Sequence, residues 1–136
     1  NKKNKELMHG PTYMANPLAC SAANASLDLF EKNDYKIKIK RIENILFKEL
    51  EKFKEFEFVS NIRVKGAIGV IEFYELTEEN IIWLRSEFVK NKVWVRPLRN
   101  VIYFMPPFII NKSELKYLLE ITYKILLKWN KKNESY

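Results

Sequence analysis

Phe58-Val59-Ser60-Asn61-Ile62-Arg63-Val64-Lys65-Gly66-Ala67-Ile68-Gly69-Val70-Ile71-Glu72-Phe73 interrupts a chain that reads as helix on either side. The stretch is rich in β-branched and aromatic residues with partial alternation, which predicts strands. Two of the three glycines in the chain, Gly66 and Gly69, fall inside it. Glycine within a strand pattern marks a bend, a bulge or a close approach of another segment. Upstream, Ile42, Ile45, Leu46, Leu50 and Phe53 recur at helical spacing among lysines and glutamates, which predicts an amphipathic helix from Tyr35 to Phe53. Downstream, Thr77-Glu78-Glu79 offers a capping hydroxyl and acids for a first helical turn, and that helix should run to Lys90. Val93-Trp94-Val95-Arg96 and Val101-Ile102-Tyr103-Phe104-Met105 then read as paired strands around Pro97-Leu98-Arg99-Asn100, with Pro106-Pro107 ending the second. Asn111-Lys112-Ser113-Glu114 has the spacing of a capping box. It opens a last helix with Leu115, Leu118, Leu119, Thr122, Ile125, Leu126 and Trp129 on its inner side. Helices with a small hairpin-paired sheet make an α+β domain.

Nearer the start, Asn16-Pro17 reads as a helix entry. The asparagine side chain accepts from free backbone N–H groups, and proline at the first helical position forfeits no hydrogen bond. Leu18, Ala22, Ala25 and Leu29 follow at helical spacing. The many small residues between them suit a helix that crosses other elements closely.

The chain has 136 residues, 47% of them apolar and 30% charged, enough for one domain with its own core. No run approaches the roughly 18 apolar residues of a membrane-spanning helix, and the first residues are polar. One cysteine, Cys20, excludes an internal disulfide and a cysteine-rich zinc site, and a cytoplasmic setting is expected. The chain begins with Asn1 rather than methionine, so a piece of a longer protein is expected. The formal charge is +7. A small basic module binding nucleic acid is one reading of that charge, but it calls for basic residues grouped with exposed aromatics. Here the lysines scatter over polar helix faces and the aromatics fall in apolar stripes, which favours a solvated surface and no nucleic-acid partner.

Catalytic signals in the residues themselves are sparse. His9 is the only histidine, so a two-histidine metal site is impossible and a hydrolase triad has no visible setting. No metal site is expected. Gly66-x-x-Gly69 lacks the lysine and helix opening of a phosphate loop, and Cys20 sits among alanines as a packing residue. Two places are more suggestive. Gly10-Pro11-Thr12, in an irregular segment before a helix, combines close backbone approach with a hydroxyl that can meet an anion; a plain turn and cap would use the same residues. Arg96 shares a strand face with Trp94. Arginine grips carboxylates through its planar fork, although a surface ion pair would also account for it. Tyr103, on the partner strand, suits either the same pocket or the core.

Taken together, these segments resemble a known family. His9-Gly10-Pro11-Thr12-Tyr13-Met14-Ala15-Asn16-Pro17-Leu18-Ala19-Cys20, then Lys65-Gly66-Ala67-Ile68-Gly69-Val70-Ile71-Glu72, then Val93-Trp94-Val95-Arg96-Pro97 and Ile102-Tyr103-Phe104-Met105-Pro106-Pro107-Phe108-Ile109-Ile110 are similar in order and spacing to the C-terminal part of class III aminotransferases. Within that class they resemble the adenosylmethionine–8-amino-7-oxononanoate aminotransferases of biotin biosynthesis. The resemblance implies a fold type I, pyridoxal 5′-phosphate-dependent transferase, of which this chain is about the last third. Residues 1–32 would be the end of the large domain and the connecting helix, and residues 33–136 the small C-terminal domain.

It further implies a homodimer whose substrates are S-adenosylmethionine and 8-amino-7-oxononanoate. Pro11 and Thr12 would contact the cofactor phosphate across the subunit boundary. Gly10 would lie beside the substrate, Arg96 would hold its carboxylate, and Tyr103 would line the pocket. The family's Schiff-base lysine lies upstream of the His-Gly-Pro-Thr segment, and nothing in this chain matches its context. The expectation is therefore that the chain alone is inactive.

Overall fold

Gly66 and Ala67 form a two-residue turn that closes the first hairpin of the sheet, and Gly66 holds the positive φ of 56° that such a turn requires. The computed structural model describes Gly10 and residues 12–133. Strands β1 (Val59–Lys65) and β2 (Ile68–Phe73) flank that turn, and β3 (Arg96–Leu98) and β4 (Val101–Phe104) form a second hairpin. All pairs are antiparallel and the order is β1-β2-β4-β3. Helices α1 (Pro17–Lys32), α2 (Tyr35–Leu50), α3 (Glu78–Lys90) and α4 (Lys112–Asn133) complete an α+β architecture. Contacts divide the chain into two compact units, one up to Tyr35 and one from Lys36 onward.

One face of the sheet is the core of the second unit. Gly69, Ile71 and Phe73 of β2 and Ile102 and Phe104 of β4 point to that face, with Ile71 opposite Ile102 and Gly69 opposite Phe104. Onto it pack Ile42, Leu46 and Leu50 of α2, Leu84 and Phe88 of α3, and Leu115, Leu119, Ile125 and Leu126 of α4. The Trp129 indole meets Phe58 and Phe73 edge-on at 4.6 and 6.0 Å between centroids. The helical stripes therefore face the core as their spacing predicts. The helix caps form as well. Thr77 and Asn80 exchange hydrogen bonds at the start of α3, and Asn111 and Glu114 do so at the start of α4.

Two expectations need correction. The helix expected to reach Phe53 ends at Leu50 and tightens into a 3₁₀ turn over Glu51–Glu55, which sends Phe53 edge-on against Tyr123 at 5.6 Å. The second hairpin pairs from Arg96 rather than Val93, and its turn is Arg99–Asn100, with Pro97 and Leu98 inside β3. Proline fits there because β3 is an edge strand, where a missing N–H leaves the ladder intact. Val93 and Val95 still point inward and Trp94 outward, so the alternation persists without a ladder.

In the first unit, Asn16 caps α1 as its sequence predicts: its Oδ1 accepts from Leu18 N at 3.0 Å and Ala19 N at 3.2 Å. None of the α1 residues is buried, and Leu18 is 82% exposed, so the apolar stripe has no cover among the described residues.

Candidate functional site

The segment before α1 is a tight left-handed turn. Tyr13, Met14 and Ala15 hold φ of 55°, 50° and 56°, and Asn16 N donates to Tyr13 O at 2.9 Å. Left-handed geometry costs a non-glycine residue about 1–2 kcal/mol, so three in succession store strain. The first N–H groups of α1 are already taken by the Asn16 side chain. An anion meeting this segment would thus be met from the turn and not from the helix end. His9, Pro11 and the Thr12 side chain lie outside the described residues, so their expected roles are carried forward as proposals. Gly10 is exposed, and a methyl group on it would stand 3.4 Å from the Met14 sulfur.

The second place lies on the outer face of the sheet in the other unit. Cross-strand register sets Arg63, Val70, Tyr103 and Arg96 in one row across β1, β2, β4 and β3. Arg96 and Tyr103 are direct neighbours on the ladder, as the hairpin reading implies. The Arg96 guanidinium lies 5.9 Å from the Trp94 ring centroid, a cation–π distance. Within the described residues, no carboxylate pairs with it. A surface ion pair therefore does not account for this arginine.

Arg96 lines a cavity of about 400 Å³ with Arg85, Val89, Trp94, Val95 and Leu98. Tyr103 opens instead into a neighbouring cavity of about 430 Å³, with Trp94 lining both. The expectation that Tyr103 shares the arginine's pocket is thus replaced by adjacency across an indole wall. Sequence reading missed Arg85, whose Nη2 donates to the Pro97 carbonyl at 3.2 Å. Nothing in its local context marks it, because helix and strand meet only in the folded chain. A guanidinium on an aromatic face, free of carboxylates and walled by valine and leucine, is suited to bind a carboxylate carried on an apolar chain. Among the described residues no cluster of potential metal ligands occurs, and no helix is long and apolar enough to cross a membrane.

Residues 1–126 match the family model described as aminotransferase class-III. The chain belongs to the class III aminotransferases. An adenosylmethionine-8-amino-7-oxononanoate aminotransferase from Buchnera aphidicola subsp. Acyrthosiphon pisum is 45% identical over 114 residues, covering 84% of this chain and 26% of that relative. The crystal structure of the enzyme of the same name from Methanocaldococcus jannaschii superimposes with a TM-score of 0.75 at 32% identity, over 92% of this chain and 31% of that one. An acetylornithine aminotransferase from Elizabethkingia anophelis gives a TM-score of 0.76 at 26% identity, over 91% and 33%. The match spans about a quarter of the length of the curated relatives and about a third of the solved chains.

Family membership implies pyridoxal phosphate. Between Gly10 and Lys32 the chain carries no lysine or arginine, so any anion contact of this segment is through uncharged donors.

Proposed function

We propose that this chain is the C-terminal portion of an aminotransferase of biotin biosynthesis, one that moves the amino group of S-adenosylmethionine to 8-amino-7-oxononanoate and so yields 7,8-diaminononanoate. On this reading residues 1–32 end the large domain and residues 33–136 form the small one. The enzyme works as a homodimer. Pro11 and Thr12 meet the cofactor phosphate from the neighbouring subunit, Gly10 lets the substrate approach the backbone, and Tyr103 flanks its path. When bound, pyridoxal phosphate supplies the amino-group transfer and the electron sink.

This chain's own residues bind and orient. Arg96 holds the keto acid by its carboxylate, the end remote from the carbonyl, and so fixes where that carbonyl sits. The Trp94 ring lies beside the guanidinium, and Val89 and Leu98 offer apolar surface to the ligand's methylene chain. The observation that carries the reading is Arg96 on the Trp94 ring, in a cavity with apolar walls and with no carboxylate partner among the described residues.

The test is a hybrid in which this chain replaces the matching last quarter of the Buchnera relative. Arg96→Ala should weaken use of 8-amino-7-oxononanoate by about 2–4 kcal/mol, with Arg96→Lys recovering only part, since an ammonium cannot make the planar fork. Unchanged affinity for the keto acid together with lowered thermal stability would make Arg96 a structural residue and overturn the assignment.

A further inference from the structure

The cavity that holds Arg96 contains a second guanidinium. Arg85 lies on α3, eleven residues earlier in the sequence, and lines the same space of about 400 Å³. Its Nη2 donates to the carbonyl of Pro97, the residue that follows Arg96, at 3.2 Å. Like Arg96, it pairs with no carboxylate among the described residues. The strand it reaches is short and at the sheet edge, tied on one side only, to β4. Its residue at 97 is a proline and gives no N–H to any ladder.

We propose that Arg85 is a positioning residue for Arg96: through the Pro97 carbonyl it fixes the edge strand that presents the Arg96 fork, and its unneutralised charge makes the cavity selective for an anionic end group. The inference rests on the reading of Arg96 as a carboxylate grip and adds a second residue to it. An edge strand of three residues has few bonds to hold its register, and an error of about 1 Å at a forked contact is enough to lose it. Arg85 supplies one more bond at the position next to the fork. It also adds a positive charge that falls off with distance and with salt, so it acts on any carboxylate entering the same cavity. Both arginines line that space and neither has a carboxylate partner among the described residues, so the cavity carries net positive charge. A ligand carboxylate neutralises part of that charge.

The experiment uses the 136-residue chain and sodium nonanoate as probe. Indole N–H resonances and the arginine Nε–H resonances are followed by NMR during titration. Wild type should show the Trp94, Arg96 and Arg85 signals moving together on one binding curve. Arg85→Met keeps the apolar stem and removes donor and charge; it should weaken nonanoate about fivefold and flatten the salt dependence, while the thermal midpoint falls by only a few degrees, as loss of one hydrogen bond would give. Arg85→Lys restores charge and one donor and should recover part of the loss.

If Arg96→Met abolishes binding while Arg85→Met leaves it at the wild-type value, the Arg85 inference falls and the Arg96 reading stands. If Arg96→Met itself leaves binding unchanged, the Arg96 reading falls and the inference with it. Should Arg85→Met fail to fold, the wild-type titration decides: an Arg85 resonance that stays still while Arg96 moves overturns the proposal.

Discussion

A methyl group on Gly69 would stand 2.8 Å from Leu50 Cδ1 and 3.3 Å from Leu46 Cδ2, so β2 and α2 pack with no room for a side chain between them. Both leucines are fully buried. Gly69→Ala therefore overpacks the core and should cost about 1–3 kcal/mol in urea unfolding. Leu50→Val removes the carbon that the new methyl would strike. In that background the same glycine change should cost clearly less, and an equal cost in both backgrounds would show that the clash is not its origin.

Glu87 couples α3 to α4. Its carboxylate is buried and accepts from Lys128 Nζ at 2.7 Å and from Lys90 Nζ at 3.0 Å. The bond from Lys128 first, and that from Lys90 second, hold its carboxyl below the ordinary 4.5. The native chain thus binds this proton more weakly than the unfolded chain does. The stability that Glu87 contributes is complete above pH 4.5 and drains away as the pH falls from there through the lowered native value. Both lysines are largely exposed, so Glu87→Gln should cost only about 1 kcal/mol at pH 7. The gap between variant and wild type should close as the pH falls below 4.5, measured by urea midpoints. A gap constant over that range would mean the carboxylate's charge contributes nothing.

Arg99 holds φ of 50° in the two-residue turn between β3 and β4. A non-glycine residue is strained there, and glycine is not. Arg99→Gly should raise stability by about 0.5 kcal/mol, the relief being partly offset by the freedom glycine gains in the unfolded chain. Asn100→Gly should do the reverse. It deletes the side-chain acceptor of the Leu76 N–H at 3.1 Å, which ties the turn to the segment before α3. Thermal midpoints of the two variants moving in the same direction would contradict this account of the turn.

How much of this was legible beforehand depended on whether the deciding interactions were local. The caps at Asn16, Thr77 and Asn111 were legible, because a cap is set by residues two or three apart. Gly66 and Gly69 were legible as irregularities, though not which would be the turn and which the close contact, since that requires α2 to be in place. The alternation at Val93-Trp94-Val95-Arg96 set Trp94 and Arg96 on one face and the valines on the other, though not which face was the core. The strand's start at Arg96 was hidden, because an edge position excuses proline and edges are decided by topology. Arg85 carried no signal at all: its bond to Pro97 joins a helix to a strand twelve residues away. The stripe on α1 was read correctly as a pattern, but its cover is not supplied by the described residues.

The resemblance places the cofactor's lysine upstream, and that makes a chemical prediction for the chain taken alone. Mixed with pyridoxal phosphate and reduced with borohydride, it should show scattered, substoichiometric labelling of surface lysines on peptide mapping. It should show no turnover with S-adenosylmethionine. One lysine labelled stoichiometrically, with turnover, would place the catalytic lysine inside this chain.

The exposed apolar residues of α1 make the last prediction. Leu18, Leu27, Leu29 and Phe30 are each more than half exposed, on a helix with no buried residue. An apolar side chain left in water forgoes roughly 1.5–3 kcal/mol of burial, and α1 exposes four, with Leu18 and Leu29 on one face and Leu27 and Phe30 on others. In the proposed enzyme this helix belongs to the large domain and the subunit boundary, where such residues would be covered. The chain alone should therefore bind a hydrophobic dye and self-associate as concentration rises, by light scattering. Replacing Leu18 and Phe30 with glutamine should suppress both effects without shifting the urea midpoint of the second unit, whose core contains neither residue. A clean monomer at all concentrations with no dye binding would show that α1 needs no partner, and the subunit-boundary role proposed for the segment before it would lose its support.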